Sequence, residues 1–515
     1  MDSSHKPLVC ISLCEQTVAA LDQAIGSASE VCDLIEVRLD CLDPLELENG
    51  ADAITKFLQQ SDCQSILTFR PSQAGGRRVI DDATRQAFWS TAIFSGSFFD
   101  VELDLAEKFQ AADTTTSLPI DWSRTICSHH DFSGMPAKLD QIYERMSSTP
   151  ARVLKIAVQV QDAIDCLPTF QLLQRAREDG REIIAIAMGI AGVATRILGP
   201  SRGAFFTYAS LDVETATAPG QPSVSDLRQI YRVDKIDPHT QIFGLVGQPV
   251  SHSLSPRMHN AAFAAAGKNA VYIPFETSDI GTFIKRMIHP RTRELDWNVG
   301  GLSVTAPHKF SVLRHLDSIG PAARAIGAVN TIVVEGDALH GHNTDAAGFI
   351  KPLTEAFGDL RDARCAVIGT GGAASAALWS LNGAGAQTTL VAREVVKGSD
   401  LAARFKIDST LLQDANFEGF DVVVNATPLG TLGQFEDETP VTASQLRGAR
   451  LAYDLVYNPI ETKFLREARE AGCKTLGGLA MLAAQAEEQF KLWTGETPTL
   501  DVMLTAGARG LERTR

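Results

Sequence analysis

Eight short apolar runs recur through roughly the first 210 residues, each separated from the next by a helix-length stretch of mixed polarity. They read LVCISL, CDLIEVRLD, SILTFR, FFDVELD, RTICSHHDF, RVLKIAV, EIIAIAM and FFTYASL. Alternating strand and helix is the pattern of parallel βαβ units, because a parallel neighbour is reached only by a crossover connection. Eight such units suit a closed (β/α)8 barrel better than an open sheet. A barrel of this kind carries its chemistry at the C-terminal ends of its strands. Charged residues in or just after the runs are therefore candidates: Glu36, Arg38, Arg70, His129, His130, Lys155 and Arg196.

Lys155 stands inside VLKIAVQ, where an ammonium is costly unless it is paired or gives up its proton. One reading turns its head into water at the strand end. The other makes it a nucleophilic amine, its pKa lowered by burial. Its company favours the second. An amine forms an imine with a ketone, a histidine moves protons, and guanidinium groups hold a carboxylate bidentately. Together they suit an anionic carbonyl substrate. Arg38, beside Glu36 and Asp40, also reads as a strand-end ion pair, and one of the two histidines as structural.

At 515 residues the chain has room for about three domains. With 44% hydrophobic and 21% charged residues it has an ordinary soluble composition. A net charge of -15 with no basic stripe argues against a nucleic-acid surface, so local groups must bind any anion. The nine cysteines are odd in number, scattered and without a CxxC pair; they read as small buried thiols in a reducing compartment, and no metal is implied. The most apolar stretch, IIAIAMGIAGVA, is well short of the roughly 20 residues that span a bilayer. The first strand begins at Pro7, which leaves no room for a signal or transit peptide, and the expected location is cytoplasmic.

After a last barrel helix and a polar linker between Ser223 and Thr240, IFGLVGQPVSHSLSPRMHN restarts a fold. Further on, CAVIGTGGAASAAL sets Gly369, Gly371 and Ala374 between an apolar strand and an alanine-rich helix. This is a dinucleotide fingerprint, in which glycines let the backbone approach a pyrophosphate at the helix N-terminus. The next strand ends at Arg393, with Lys397 four residues on. A cation there suits a 2'-phosphate, so NADP is favoured over NAD, although Glu394 works against it. Lys309 and Asp345 read as a proton-transferring pair if one cleft brings them together.

The first half resembles the type I 3-dehydroquinate dehydratases over residues 7 to 225. The resemblance rests on EVRLD, TFR followed by GG, SHHDF with a following MP, LKIA, MGIAGVATR and TAPGQP. It implies that Lys155 forms a Schiff base with the substrate ketone and that His130 moves the proton. Glu36, Arg38, Arg70, Arg196, Thr217 and Gln221 would hold hydroxyls and carboxylate. The family usually has a glutamate supporting the histidine where this chain has Ala74. Thr195 and Thr217 stand where serine is commoner.

The second half resembles shikimate dehydrogenase over residues 241 to 505. The motifs are GQPVSHSLSPRMHN, SVTAPHK, GAVNT, NTDAAG, GTGGAASAA, NATPLG, DLVYNPIETKFL and GLAMLAAQAEEQFKLWTG. The resemblance implies carboxylate binding by Ser253 and Ser255, hydroxyl binding by Thr305, Asn330, Gln485 and Gln489, and closure by Tyr457. Lys309 and Asp345 would be catalytic, and Gly369, Gly371, Gly372, Ala373, Arg393, Lys397 and Thr427 would meet NADP. Ser303 replaces the family's asparagine and is expected to cap the same turn. Ala392, Arg393 and Glu394 replace an Asn-Arg-Thr or Asn-Arg-Ser run.

The expected layout is a (β/α)8 barrel over 1–232, a substrate-binding domain over 240–345, a Rossmann NADP-binding domain over 346–480, and C-terminal helices over 481–515 packing back on the substrate domain. The implied activity is dehydration of 3-dehydroquinate followed by reduction of 3-dehydroshikimate to shikimate. Alternatives are a chain in which only the dehydrogenase works, a quinate dehydrogenase fusion, and a metabolite-binding regulator. No partner beyond small-molecule substrates is implied, neither nucleic acid nor membrane.

Overall fold

The structure is a computed structural model that describes residues 6–91, 96–112, 120–212, 214–433 and 435–512. The chain divides into two compact units. One comprises the chain to Thr240 with Ile273–Met287 and Arg293–Asn298; the other comprises Gln241–Tyr272, Ile288–Thr292 and Val299 onward.

Eight parallel strands form the first unit: β1 (Val9–Leu13), β2 (Leu34–Arg38), β3 (Gln64–Thr68), β4 (Phe98–Glu102), β5 (Thr125–Asp131), β6 (Val153–Gln159), β7 (Glu182–Met188) and β8 (Thr207–Ala209). They lie in chain order, with β1 also paired to β8. The remaining seam between β7 and β8 is bridged at Ile183 and Ala204, where the Phe205 N–H donates to the Ile183 carbonyl. The eight runs read from the sequence are these eight strands.

Side chains alternate sides along a strand, so one inward residue per strand repeats every second position. The lowest inward layer is apolar and includes Cys10, Leu34, Ile66, Phe98, Ile126, Val153, Ile184 and Phe206. Two residues further along, the same parity brings Ser12, Glu36, Thr68, Asp100, Ser128, Lys155, Ile186 and Tyr208. Above them come Arg38, Arg70, Glu102, His130, Ala157 and Met188. The barrel is thus greasy at its base and ionic towards the C-terminal ends of its strands.

Cys14 and Cys41 are joined in a disulfide, which corrects the expectation that every cysteine is a free thiol. The cause is topological. β1 and β2 are hydrogen-bonded neighbours, so the residues just beyond their ends meet although 27 positions separate them in sequence.

A mixed sheet runs β10 (Ala270–Glu276, of which the second unit holds Ala270–Tyr272), β9 (Gln241–Gly247), β11 (Val299–Val304), β13 (Thr331–Glu335), β14 (Ala338–His342), β12 (Ser318–Ile319). The second sheet, parallel throughout, runs β17 (Asp408–Leu411), β16 (Gln387–Ala392), β15 (Arg364–Ile368), β18 (Val422–Asn425), β19 (Leu451–Asp454), β20 (Lys474–Leu476). Its first strand lies in the middle and the order reverses there, the doubly wound arrangement that opens a ligand crevice at the switch point. The C-terminal helices Gly478–Thr494 and Leu500–Glu512 send Leu482, Ala486, Phe490, Met503 and Leu511 into a core shared with Phe243, Met258 and Phe263. Among the described residues no helix is long and apolar enough to cross a membrane.

Candidate active sites

Strand parity sets the first site. Lys155 shares the inner face of β6 with Val153 and Ala157 and is only 4% exposed, so its head points into the barrel and not to water. Its Nζ donates to Glu36 Oε1 at 3.1 Å, Asp100 Oδ2 at 2.8 Å and the Tyr208 hydroxyl at 2.7 Å. Glu36 also accepts from Thr68 and Tyr208, and Asp100 from Ser128 and Arg70. Burial opposes the charge on both carboxylates. On Glu36 the cations Lys155 and Arg70 overcome it and hold the carboxyl down at about 2; Arg70 and Lys155 likewise keep Asp100 far below its usual range.

His130, on the inner face of β5, is pushed well below the ordinary imidazole value by burial and then by Arg70 and Lys155. It is neutral at working pH, as a base must be. Phe132 stacks against it with ring centres 6.3 Å apart. Gly75 allows that placement: it has φ +87°, and a Cβ there would lie 2.3 Å from the Phe132 ring. One cleft is lined by Glu36, Arg38, Arg70, His130, Lys155, Arg196, Thr217 and Gln221, which gathers the barrel candidates other than His129. His129 lies outside it, in a second cavity behind His130.

The arginines differ in how they are paired. Arg38 grips Asp40 through two hydrogen bonds, the ion pair anticipated from the sequence, and Arg70 bonds Asp100. Among the described residues Arg196 has no carboxylate partner, and its guanidinium makes only one long hydrogen bond, to the Tyr208 carbonyl. Burial drags its guanidinium down to about 10. A buried, uncompensated cation facing a cleft is a receptor for an anion. At the rim, Gln221 Oε1 accepts from the backbone and hydroxyl of Thr217, which folds that loop over the opening.

Sequence reasoning missed Asp100, Glu102 and Tyr208. The first two carried a signal, since acids at alternate positions in the apolar run FFDVELD share the inner face with Phe98.

In the second unit Lys309 Nζ meets Asp345 Oδ2 at 2.5 Å. Asp345 opens the helix Asp345–Phe357, and its other oxygen accepts from Asn330 Nδ2 at 2.8 Å. Asn330 reaches Gln485 at 3.0 Å, so four of the expected residues form one connected chain. Gln489 is buried, bonded to Ser303, His259, Thr331 and the Asn330 carbonyl. Ser303 therefore bonds Gln489, and not the turn it was expected to cap. Ser253 Oγ accepts from the Ser255 N–H and lies against the Tyr457 hydroxyl. A Cβ on Gly247 would lie 2.2 Å from Thr305, which stands just beyond β11.

The nucleotide turn fits a dinucleotide. Gly369 has φ +124°, and a Cβ there would press on the Ala426 carbonyl at 2.9 Å. Gly371 caps the helix Gly372–Gly383, which includes Ala373, without a side-chain hydrogen bond, so its first N–H groups are free to meet phosphate. A Cβ on Gly372 would sit 3.3 Å from Lys309, which places the turn beside the Lys309–Asp345 pair. Thr427 folds back on Asn425 at the end of β18. Arg393 and Glu394 are exposed beyond β16, and Lys397 bonds Glu394 at 3.0 Å, offsetting the charge that opposed a 2'-phosphate.

The fold and its two sites define a lysine-centred (β/α)8 barrel joined to a dinucleotide-binding α/β protein. Family models agree: type I 3-dehydroquinase matches residues 9–238, the shikimate dehydrogenase substrate-binding domain 245–332, a putative NAD(P)-binding model 356–433 and the shikimate 5'-dehydrogenase C-terminal domain 478–506. The chain is 31% identical over 510 residues to the chloroplastic bifunctional 3-dehydroquinate dehydratase/shikimate dehydrogenase of Arabidopsis thaliana, covering 95% of this chain and 82% of that protein. It is 37% identical over 281 residues to the NADP(+) shikimate dehydrogenase of Methanocaldococcus jannaschii, covering 53% of this chain and 97% of the other. A crystal structure of a shikimate dehydrogenase in complex with NADP+ superposes with a TM-score of 0.50 at 36% identity, over 54% of this chain and 97% of that one. The chain belongs to the bifunctional 3-dehydroquinate dehydratase/shikimate dehydrogenase family.

Proposed function

We propose that the barrel dehydrates 3-dehydroquinate through an imine on Lys155 and that the second unit reduces the resulting 3-dehydroshikimate to shikimate with NADPH. The observation that carries the reading is one cleft holding the Lys155 amine, the neutral His130 imidazole and the unpaired Arg196 guanidinium. Arg196 takes the substrate carboxylate and fixes the ring. Lys155 Nζ adds to the ketone carbon, and the carbinolamine loses water to give a protonated imine. That imine draws electrons from the adjacent C–H, so His130 removes the C2 proton. His130 then returns a proton to the departing C1 hydroxyl, which leaves as water. Hydrolysis of the product imine restores Lys155. Glu36, Asp100 and Tyr208 hold the amine in place throughout, and Arg38, Arg70, Thr217 and Gln221 orient the ring.

In the second unit Ser253 and Ser255 take the carboxylate, Thr305, Asn330 and Gln485 the hydroxyls, and Tyr457 closes over them. Gln489 steadies this group from below. NADPH, held by Gly369, Gly371, Gly372, Ala373, Arg393, Lys397 and Thr427, supplies the hydride when bound. Lys309 gives the proton to the ketone oxygen, and Asp345 keeps Lys309 aimed. A cytoplasmic setting belongs to the same proposal; the seven cysteines that stay as free thiols support it, and the Cys14–Cys41 bond stands against it.

The test gives purified protein 3-dehydroquinate without nucleotide and follows the product's conjugated enone by ultraviolet absorbance, then adds NADPH. The enone should appear and then fade as NADPH is oxidised. No enone, with added 3-dehydroshikimate still reduced, would remove the dehydratase reading and leave a dehydrogenase alone.

A further inference from the structure

Behind His130 lies a second cavity of about 290 Å³, walled by Gln73, Ala74, Glu102, His129 and His130 together with arginines from the surrounding helices. Among the described residues, four buried polar atoms of the side chains lining it have no hydrogen-bond partner: His130 Nδ1, His129 Nε2, Glu102 Oε1 and Arg85 Nε. Orphans of this kind are rare, and a polar cavity of this size has room for several ordered waters, each wanting two to four partners.

The register shows why these atoms do not meet directly. Glu102 on β4 is level with Ser128 on β5, and His130 stands two residues further along the same inner face. From strand spacing and rise the two Cα atoms are roughly 8 Å apart, a diagonal that one or two waters bridge. Ala74 presents only a methyl group to this wall, so among the residues that line the cavity Glu102 and Asp104 supply the carboxylates. The two oxygens of Glu102 have different company. Oε2 accepts from Arg85 at 2.9 Å, whereas Oε1 keeps only Arg70 Nε at 3.7 Å, beyond hydrogen-bond reach.

We propose that Glu102 is the positioning residue for His130: through ordered water in this cavity its Oε1 accepts from the His130 Nδ1–H, fixes the tautomer that leaves Nε2 as the base, and steadies the imidazolium formed when the substrate proton arrives. The inference rests on the dehydratase reading of the barrel. Charged groups facing Glu102 are Arg70 beyond β3, Asp100 on β4, Arg85 from the helix Asp82–Thr91 and Asp104 from the helix Leu103–Ala112. Arg145, from the helix Leu139–Ser147, and the two histidines complete the wall. Burial first and Asp100 second lift the Glu102 carboxyl to about 7, against Arg70 and Arg85. Its protonation then removes the acceptor as pH falls through neutrality, and dehydration should show an acid limb there.

The test compares wild type, Glu102→Gln, Ala74→Glu and the double variant as full-length chains. Glu102→Gln should lower kcat for enone formation about 10- to 100-fold with KM within about threefold, and should lose the acid limb. Adding Ala74→Glu should restore at least about tenfold, because a carboxylate then reaches His130 from the other wall. Borohydride with 3-dehydroquinate should still leave a reduced adduct on Lys155 of Glu102→Gln, seen by intact mass, which reports a folded site. If Glu102→Gln yields no adduct, Ala74→Glu alone decides: with Glu102 and Arg85 undisturbed, its acid limb should move below that of wild type, and an unmoved limb refutes the proposal. An unchanged kcat and pH profile in Glu102→Gln overturns the inference and leaves the dehydratase reading standing. So does a loss of kcat that keeps the wild-type profile or is not restored by Ala74→Glu, since Glu102 would then act only through its Arg85 pair. Wild type giving neither enone nor adduct removes the dehydratase reading and the inference with it.

Discussion

Replacing Arg196 with methionine should make the barrel more stable and the enzyme worse at binding. The guanidinium is 2% exposed and, among the described residues, has no carboxylate partner. Burial moves it from 12.5 to about 10, which at 1.36 kcal/mol per pKa unit is a folding penalty of about 3 kcal/mol. The sign follows from the direction: the folded value is depressed and the side chain is charged in both states at neutral pH, so the penalty is present throughout the working range. It is relieved only as pH rises past about 10. Methionine has similar length and no charge, so about 1 to 3 kcal/mol should be recovered after imperfect packing is allowed for. Urea unfolding with and without the substitution measures this. The same change removes a charge-assisted hydrogen bond to substrate, worth about 1.5 to 3 kcal/mol, so KM for 3-dehydroquinate should rise roughly 10- to 150-fold. An Arg196→Met protein less stable than wild type, or one with unchanged KM, would refute the argument that this cation is kept unpaired to meet an anion.

The two activities should separate by mutation. Lys309→Met or Asp345→Asn should cut reduction by about 10²- to 10⁴-fold and leave enone formation intact, as coupled absorbance assays of each step will show. His259 is fully buried, stacked on Tyr272 and bonded to Gln489, and burial takes it down to about 3 against that hydrogen bond. Stability from its neutral form is complete above about pH 6.5 and is lost as pH falls towards about 3, amounting to about 2 kcal/mol by pH 5. His259→Gln should therefore flatten the pH dependence of unfolding in the second unit; an unaltered slope would exclude this histidine as the cause. The Cys14–Cys41 bond closes a 27-residue separation, so on chain-entropy grounds its reduction should cost the barrel up to about 3.5 kcal/mol, read as a lower urea midpoint in dithiothreitol.

What the sequence determined by itself follows from short-range periodicity. Side-chain parity is a property of each strand alone, so VLKIAVQ already put Lys155 on the same face as Val153 and Ala157, and CDLIEVRLD put Glu36 and Arg38 together. The glycine turn at 369–372 was legible for the same reason: the backbone approach it permits depends on a few adjacent residues. What the tertiary structure decided is which inward residues meet. Glu36 lies 119 residues from Lys155, Asp100 55 and Tyr208 53, and only barrel closure brings the four together. The same holds for the Cys14–Cys41 bond and for Ser303 with Gln489, 186 residues apart. Whether a buried charge is paired is likewise a property of every strand around it. Arg38 finds its carboxylate two residues along its own segment, at Asp40, whereas closure brings Asp100 to Arg70 and leaves Arg196, among the described residues, with only the Tyr208 carbonyl.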